Sequence, residues 1–210
     1  MKLYSMKQAV NPQRVRIFLA EKGLDIETEE IDIPSGQNRE ESFLSVNPRG
    51  LLPALVLDDG TVLHESVAIC RYIEGVHPEP CLLGATPKEQ AIIDMRQREM
   101  EFDGLQSIAW IFRNTAPHFA ARSHPGAVPD MAQLPDLAAR GQILAALWFE
   151  RLNESLEAQE FVAGDSYSIA DITAFCAVLF ARWVKMPIPD HHSHTQRWFA
   201  AMKERPSAKA

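Results

Sequence analysis

Apolar positions follow two different rhythms along the chain. Over the first 77 residues, short apolar runs alternate with helix-spaced stretches. Lys2–Ser5 reads as a short strand. Asn11–Lys22 reads as a helix with both ends marked: Asn11 suits the N-cap, Pro12 the first helical position, and Gly23 the left-handed position that stops it. Val15, Phe18, Leu19 and the stem of Lys22 share one face of it. Glu27–Ile33 is a strand candidate despite its acidic content, and Glu40–Val46 a short helix ending before Asn47-Pro48. Ala54–Leu57 and Thr61–His64 flank Asp58-Asp59-Gly60, the pattern of a hairpin closed by a type I′ turn. Ser66–Gly75 then carries an apolar stripe of Val67, Ile69, Cys70 and Ile73. The order is β-α-β-α-β-β-α, a small mixed sheet covered by helices.

After His77-Pro78-Glu79-Pro80 the strand signal disappears. Helical periodicity runs over Lys88–Asn114, Pro135–Leu156, Ile169–Val184 and Gln196–Lys203. The expected class is α+β: a sheet-containing domain over 1–77, a Pro-rich linker over 78–87 and an all-helical bundle over 88–210. Ser168-Ile169-Ala170-Asp171 has capping-box spacing, in which the Ser hydroxyl accepts the N3 amide proton and the Asp reaches back. It marks a helix start rather than a catalytic pair.

Composition removes several function classes. Apolar residues at 46% and charged residues at 23% are those of an ordinary globular protein. The net charge of −7 disfavours phosphate backbones, so no nucleic-acid partner is expected. Cys70, Cys81 and Cys176 show neither disulfide-framework nor zinc-ligand spacing. His191-His192-Ser193-His194 places its rings on diverging sides of a turn, so no metal is expected either. Residues 1–10 lack a signal-peptide pattern and the longest apolar run, Ala174–Ala181, is too short for a bilayer. A cytoplasmic protein with no membrane contact is the expectation.

Two features of the first domain point to a ligand. At Leu51-Leu52-Pro53-Ala54 a proline enters a strand, where it cannot donate to the ladder. With a cis Leu52–Pro53 bond the Leu52 backbone would face outward, ready to pair with an extended peptide; with a trans bond it is an ordinary strand start. Glu65-Ser66 follows a strand and opens a helix. Free amides and the helix dipole there suit a carboxylate, and Glu65 suits an ammonium, which together fit an α-amino acid head group. Capping by Ser66 beside a solvated Glu65 reads equally well.

These features, with the Ser168–Asp171 capping box, resemble the cytosolic glutathione transferase superfamily. So do the stretches Val15–Gly23, Asn47-Pro48-Arg49-Gly50 and Arg205-Pro206-Ser207, and the likeness spans the whole chain. The resemblance implies a thioredoxin-like first domain, a cis Pro53, pairing of the Leu52 backbone with the cysteinyl part of glutathione, and capture of the γ-glutamyl end by Glu65 and Ser66. It further implies a homodimer in which an acidic residue of the second domain reaches the γ-glutamyl ammonium across the interface. Asp103 is the candidate and Glu99 the runner-up.

The chain also departs from the family pattern. Serine-type members place a thiolate donor where this sequence has Ala9 or Val10, and beta-class members place a cysteine where it has Asn11. Asn11 carries an amide donor near a helix start and is the leading catalytic candidate, with Tyr4 and Ser5 as alternatives. Histidine and lysine commonly hold the glycine carboxylate, but here the equivalent positions are Asn38 and Leu51; Arg39 and Arg49 lie beside them and could substitute. Met6, Trp110, Phe112, Pro117 and Phe119 are expected to wall the second-substrate pocket. The activity so implied is conjugation of glutathione, as co-substrate and without a metal, to small apolar electrophiles. Disulfide reduction, isomerisation and a non-catalytic scaffold role are the alternatives.

Overall fold

A computed structural model describes residues 1–210, which form two compact units. The first comprises Met1–Pro80, the segment His124–Asp130 and the last two residues. The second comprises Cys81–Ser123 and Met131–Ala208. No helix is long and apolar enough to cross a membrane.

The first unit holds a four-stranded sheet in the order β2-β1-β3-β4, built from β1 (Lys2–Ser5), β2 (Glu27–Glu30), β3 (Ala54–Val56) and β4 (Val62–His64). β1 and β2 are parallel; β1–β3 and β3–β4 are antiparallel. This is the thioredoxin-like arrangement. The acidic β2 is an exposed edge strand, stopping at Glu30, short of the expected Ile33. Lys2 neutralises it, with Nζ 3.2 Å from Glu27 and 2.9 Å from Glu29.

Helices α1 (Val10–Glu21) and α3 (Ser66–Val76) pack against one another. Val15, Ile17, Phe18, Ile69 and Ile73 are buried, as are Leu3 of β1 and Leu55 of β3. A second cluster joins Ile31, Phe43 and Leu52, with Tyr4, Met6, Ile33 and Val46 at its margin. α2 is a single turn, Glu41–Leu44, preceded by a 3-10 turn over Gln37–Arg39 that periodicity did not indicate.

The hairpin forms, but not through a type I′ turn. Gly60 N–H donates to the Leu57 carbonyl at 3.0 Å, and only Gly60 (φ 84°) takes positive φ. A longer loop of this kind is built on an ordinary turn followed by a left-handed glycine.

The second unit begins with one continuous helical run. It contains α4 (Pro87–Glu99), a π-helical turn (Met100–Leu105) and α5 (Gln106–Thr115). α4 starts at a capping box of Thr86 and Glu89. α6 (Pro135–Ser155) lies along α5. α7 (Ile169–Ala181) is buried at every residue but Leu179, and α8 (Ser193–Glu204) closes the bundle. The capping box at Ser168 and Asp171 is present. Asp171 also accepts from Val162 N–H and Trp198 Nε1–H, both at 2.9 Å, tying α8 to the start of α7.

Candidate functional site

The site grows from two helix starts and a turn in the first unit. α1 begins at Val10, not at Pro12, so Ala9 rather than Asn11 is its N-cap. Ala9 has no side-chain acceptor, which leaves the first-turn amides uncapped. Pro12 still falls within the first turn, where its missing N–H has no helical partner to lose. Asn11 is thus the second residue of the helix, exposed at its amino end. Its Oδ1 accepts a hydrogen bond from Arg14 Nη1 at 3.0 Å, so its NH₂ group is the end left free to donate outward.

α3 begins in the same way. Glu65, its N-cap, makes no side-chain cap. Glu65 holds φ 75°, ψ 121°, a left-handed conformation that costs a non-glycine residue about 1–3 kcal/mol. Ser66 is buried and its hydroxyl donates to the Asn11 carbonyl at 3.3 Å. The two uncapped helix starts therefore meet at Asn11 and Ser66.

Leu51-Leu52-Pro53 runs into β3. The Leu52–Pro53 peptide bond is cis. The Leu52 side chain is buried, while its backbone N–H and C=O make no hydrogen bond within the protein. The preceding turn is firmly built. Asn47 is buried; its Nδ2 donates to the Leu51 carbonyl at 2.8 Å and its Oδ1 accepts from Arg49 N–H at 3.1 Å. Gly50 takes φ 62°, and a Cβ there would stand 2.8 Å from the Asn38 carbonyl oxygen.

Several sequence candidates are placed elsewhere than expected. Ser5 is fully buried and accepts from Arg16 Nη1 at 2.9 Å, so its hydroxyl serves the loop after β1 and is closed to a thiol. Tyr4 is half-buried with its ring against Phe43, the centroids 5.8 Å apart. Asn38 is buried and donates to the Gly50 carbonyl at 2.8 Å, which uses its amide as a strut rather than a carboxylate ligand. Arg39 donates twice to the Gly126 carbonyl. The Arg49 side chain turns to Glu65, its Nη1 lying 2.9 Å from Glu65 Oε1. Leu52, Pro53, Glu65, Ser66, Asn11 and Arg49 are the residues brought together. Periodicity missed Arg14, Arg16 and the segment His124–Asp130, whose contacts with this region span up to 87 residues.

The remaining candidates belong to the second unit, apart from Met6, which packs at the margin of the first unit's second cluster. Phe112 lies edge-on to Phe119, Phe180 and Trp183 at 5.2, 5.2 and 5.6 Å. Trp110 is half-buried and takes no part in these ring contacts. Asp103 Oδ2 lies 3.3 Å from Arg151 of the same chain and Glu99 pairs with Arg96 at 2.9 Å, both acids remaining open to solvent. All four line an open groove of about 560 Å³ between the α4–π-turn run and α6, floored by Met100 and Trp148.

Comparisons with known proteins agree with this architecture. Residues 10–76 match the family description of the glutathione S-transferase N-terminal domain, and residues 133–206 that of the C-terminal domain. The chain is 32% identical over 209 residues to glutathione S-transferase 2 of Saccharomyces cerevisiae, covering 99% of this chain and 87% of the yeast protein. It is 36% identical to a crystal structure of a glutathione S-transferase domain-containing protein from Marinobacter aquaeolei, with a TM-score of 0.91 and 99% of both chains covered. Over 93 residues, 43% of this chain and 44% of the relative, it is 40% identical to a maleylacetoacetate isomerase of Pseudomonas aeruginosa. The chain belongs to the cytosolic glutathione S-transferase superfamily.

Proposed function

We propose that the protein is a glutathione transferase that binds glutathione in its first unit and directs the thiolate at small, apolar electrophiles. The unengaged Leu52 backbone, beside the Glu65–Ser66 helix start, is the observation that carries this reading. An N–H and a C=O on one residue are the complement of an extended cysteinyl residue, and family membership supplies the tripeptide. Glu65 takes the γ-glutamyl ammonium, and the open α3 amides take its carboxylate.

Lowering the thiol pKa is the chemical task, since a free thiol titrates near ~8.5 and only the thiolate is a good nucleophile. The Asn11 NH₂ group and the uncapped start of α1 supply a donor and a positive end. Pre-oriented donors of this kind stabilise charge without reorganising. No cysteine stands at this helix start, so mixed-disulfide chemistry has no protein partner and conjugation is preferred. The likeness to a maleylacetoacetate isomerase favours isomerisation, which uses the same thiolate, as the second reading.

The proposed protein is cytoplasmic and works as a homodimer. The second unit exposes Met95, Phe102, Ile143, Leu144 and Leu147, an apolar set for which a second copy is the proposed cover.

Initial rates of conjugation of an activated aryl halide, measured with increasing glutathione, test the proposal. Saturable glutathione-dependent turnover is expected. A thermal-shift titration separates binding from chemistry, because a ligand at about 100 times its Kd stabilises by about 2.7 kcal/mol. Neither turnover nor a shift at millimolar glutathione sinks the reading. A shift without conjugation or isomerisation leaves a binding protein instead.

A further inference from the structure

Two arginines flank the glutathione site proposed above, and the structure gives them different work. Arg39 is committed to the protein. Its Nε and Nη2 donate to the Gly126 carbonyl at 3.2 and 3.0 Å, and its Nη1 lies 3.7 Å from Asp130. The segment held in this way, His124–Asp130, braces the Asn47–Gly50 turn. Ala127 N–H donates to the Arg49 carbonyl at 2.8 Å, and a Cβ on Gly126 would stand 2.5 Å from that oxygen.

Arg49 is fixed along its backbone and open along its side chain. Asn47 holds its N–H and Ala127 its C=O. The guanidinium turns to Glu65, with side chains 58% and 65% exposed. A pair so exposed contributes little to stability. The braced turn instead delivers a cation to the lip of the α3 helix start. Only Nη1 is engaged, which leaves Nε and Nη2, half of a carboxylate-matching fork, without a partner in the protein.

We propose that Arg49 reads the α-carboxylate of the γ-glutamyl group, with Arg39 as a positioning residue that acts through the brace. The proposal rests on the glutathione reading above. An α-amino acid head carries an ammonium and a carboxylate on one carbon. Glu65 takes the ammonium, and Arg49 joins the open α3 amides on the carboxylate, so the four charges alternate in sign and each is paired with two of the opposite sign. Selectivity for a γ-glutamyl thiol over one lacking that carboxylate follows, and it lies at the end of the tripeptide opposite to the glycine.

Calorimetric affinities of the wild-type protein and of Arg49→Gln, Arg49→Lys and Arg39→Gln test this with three thiols: glutathione, γ-glutamylcysteine, and the analogue with γ-aminobutyryl in place of γ-glutamyl. A lost charge-assisted bond corresponds to about tenfold in Kd. Arg49→Gln is expected to weaken glutathione and γ-glutamylcysteine by about that factor and to leave the analogue unchanged, with partial recovery in Arg49→Lys. Arg39→Gln is expected to weaken glutathione and γ-glutamylcysteine by a smaller factor than Arg49→Gln and to leave the analogue unchanged; equal weakening of all three reduces Arg39 to a structural residue. Equal weakening of all three by Arg49→Gln overturns the proposal in favour of a structural role. Weakening of glutathione without γ-glutamylcysteine overturns it in favour of the glycine end. Failure of the wild-type protein to bind glutathione at all is a different result, and overturns the functional reading itself.

Discussion

Arg14 Nη1 donates to Asn11 Oδ1 at 3.0 Å, and this bond decides which end of the Asn11 amide faces out of the helix start. With the oxygen held, the NH₂ group is the one that would meet the thiolate in the proposed complex. A donor to an anion contributes about 1.5–3 kcal/mol, or roughly one to two units of thiol pKa. Asn11→Ala is therefore expected to raise the pKa of bound glutathione by about one unit. Asn11→Asp, which substitutes a carboxylate for the donor, is expected to raise it further and to slow conjugation at least about tenfold below that pKa. Titration of thiolate absorbance in the complex reads both. An unshifted titration in both variants removes Asn11 from the chemistry.

Gly104 lies inside the π-helical turn and faces Trp148 of α6. A Cβ at 104 would stand 2.5 Å from Trp148 Cε2, a fully buried ring whose Nε1 is engaged by Met100 Sδ at 3.4 Å. Neither the ring nor the helix can yield cheaply. Gly104→Ala is expected to destabilise by about 1–3 kcal/mol, although alanine is the better helix former. Chemical denaturation decides; a stabilised variant means that the turn relaxes into an ordinary α-helix.

Lys22 ends α1 with its ammonium fully buried, donating to the Pro78 and Pro80 carbonyls and paired with Glu74. This cation holds the chain that leaves α3. Lys22→Met removes one charge of a buried pair, a change that costs about 3–5 kcal/mol. Lys22→Met with Glu74→Leu is expected to recover most of the loss. Equal stability of the single and double variants in denaturant titrations would sink the pair as the cause.

Legibility in the sequence tracked the range of the interactions. Ser168 and Asp171 could be read as a capping box because the motif closes within four residues, and the same spacing at Thr86 and Glu89 starts α4. The strand and helix order followed from periodicity, and the left-handed Gly23 (φ 65°) ends α1 where its sequence position indicates. Asn11 misled because a capping residue before a proline fits a helix start at Pro12, while the chain turns helical one residue before Asn11. The π-turn has no local signature; it accompanies Gly104 packing on Trp148 from another helix. Arg39 and Arg49 look interchangeable in sequence, and only the distant segment at Gly126 and the positive φ of Glu65 separate their roles. The site was readable as far as its motifs were local.

Asp171 offers a stability test with a definite sign. It is completely buried and accepts from Val162 and Ser168 N–H, the Ser168 hydroxyl and Trp198 Nε1–H. Burial pushes its carboxyl up from 3.8 to about 6, with those four donors pulling the other way. Between these values the folded protein holds a proton that the unfolded chain has released. Stability from this group is therefore present below about 4 and falls as pH rises to about 6. Asp171→Asn turns one acceptor into a donor that faces other donors, and is expected to cost about 2–4 kcal/mol at neutral pH. The other carboxylates cancel in the difference between the two proteins. The advantage of the wild-type protein should accordingly widen as pH is lowered from 7 toward 5 in parallel denaturant titrations. A gap that stays constant or narrows would mean that the four donors outweigh burial and that Asp171 remains ionised throughout that range.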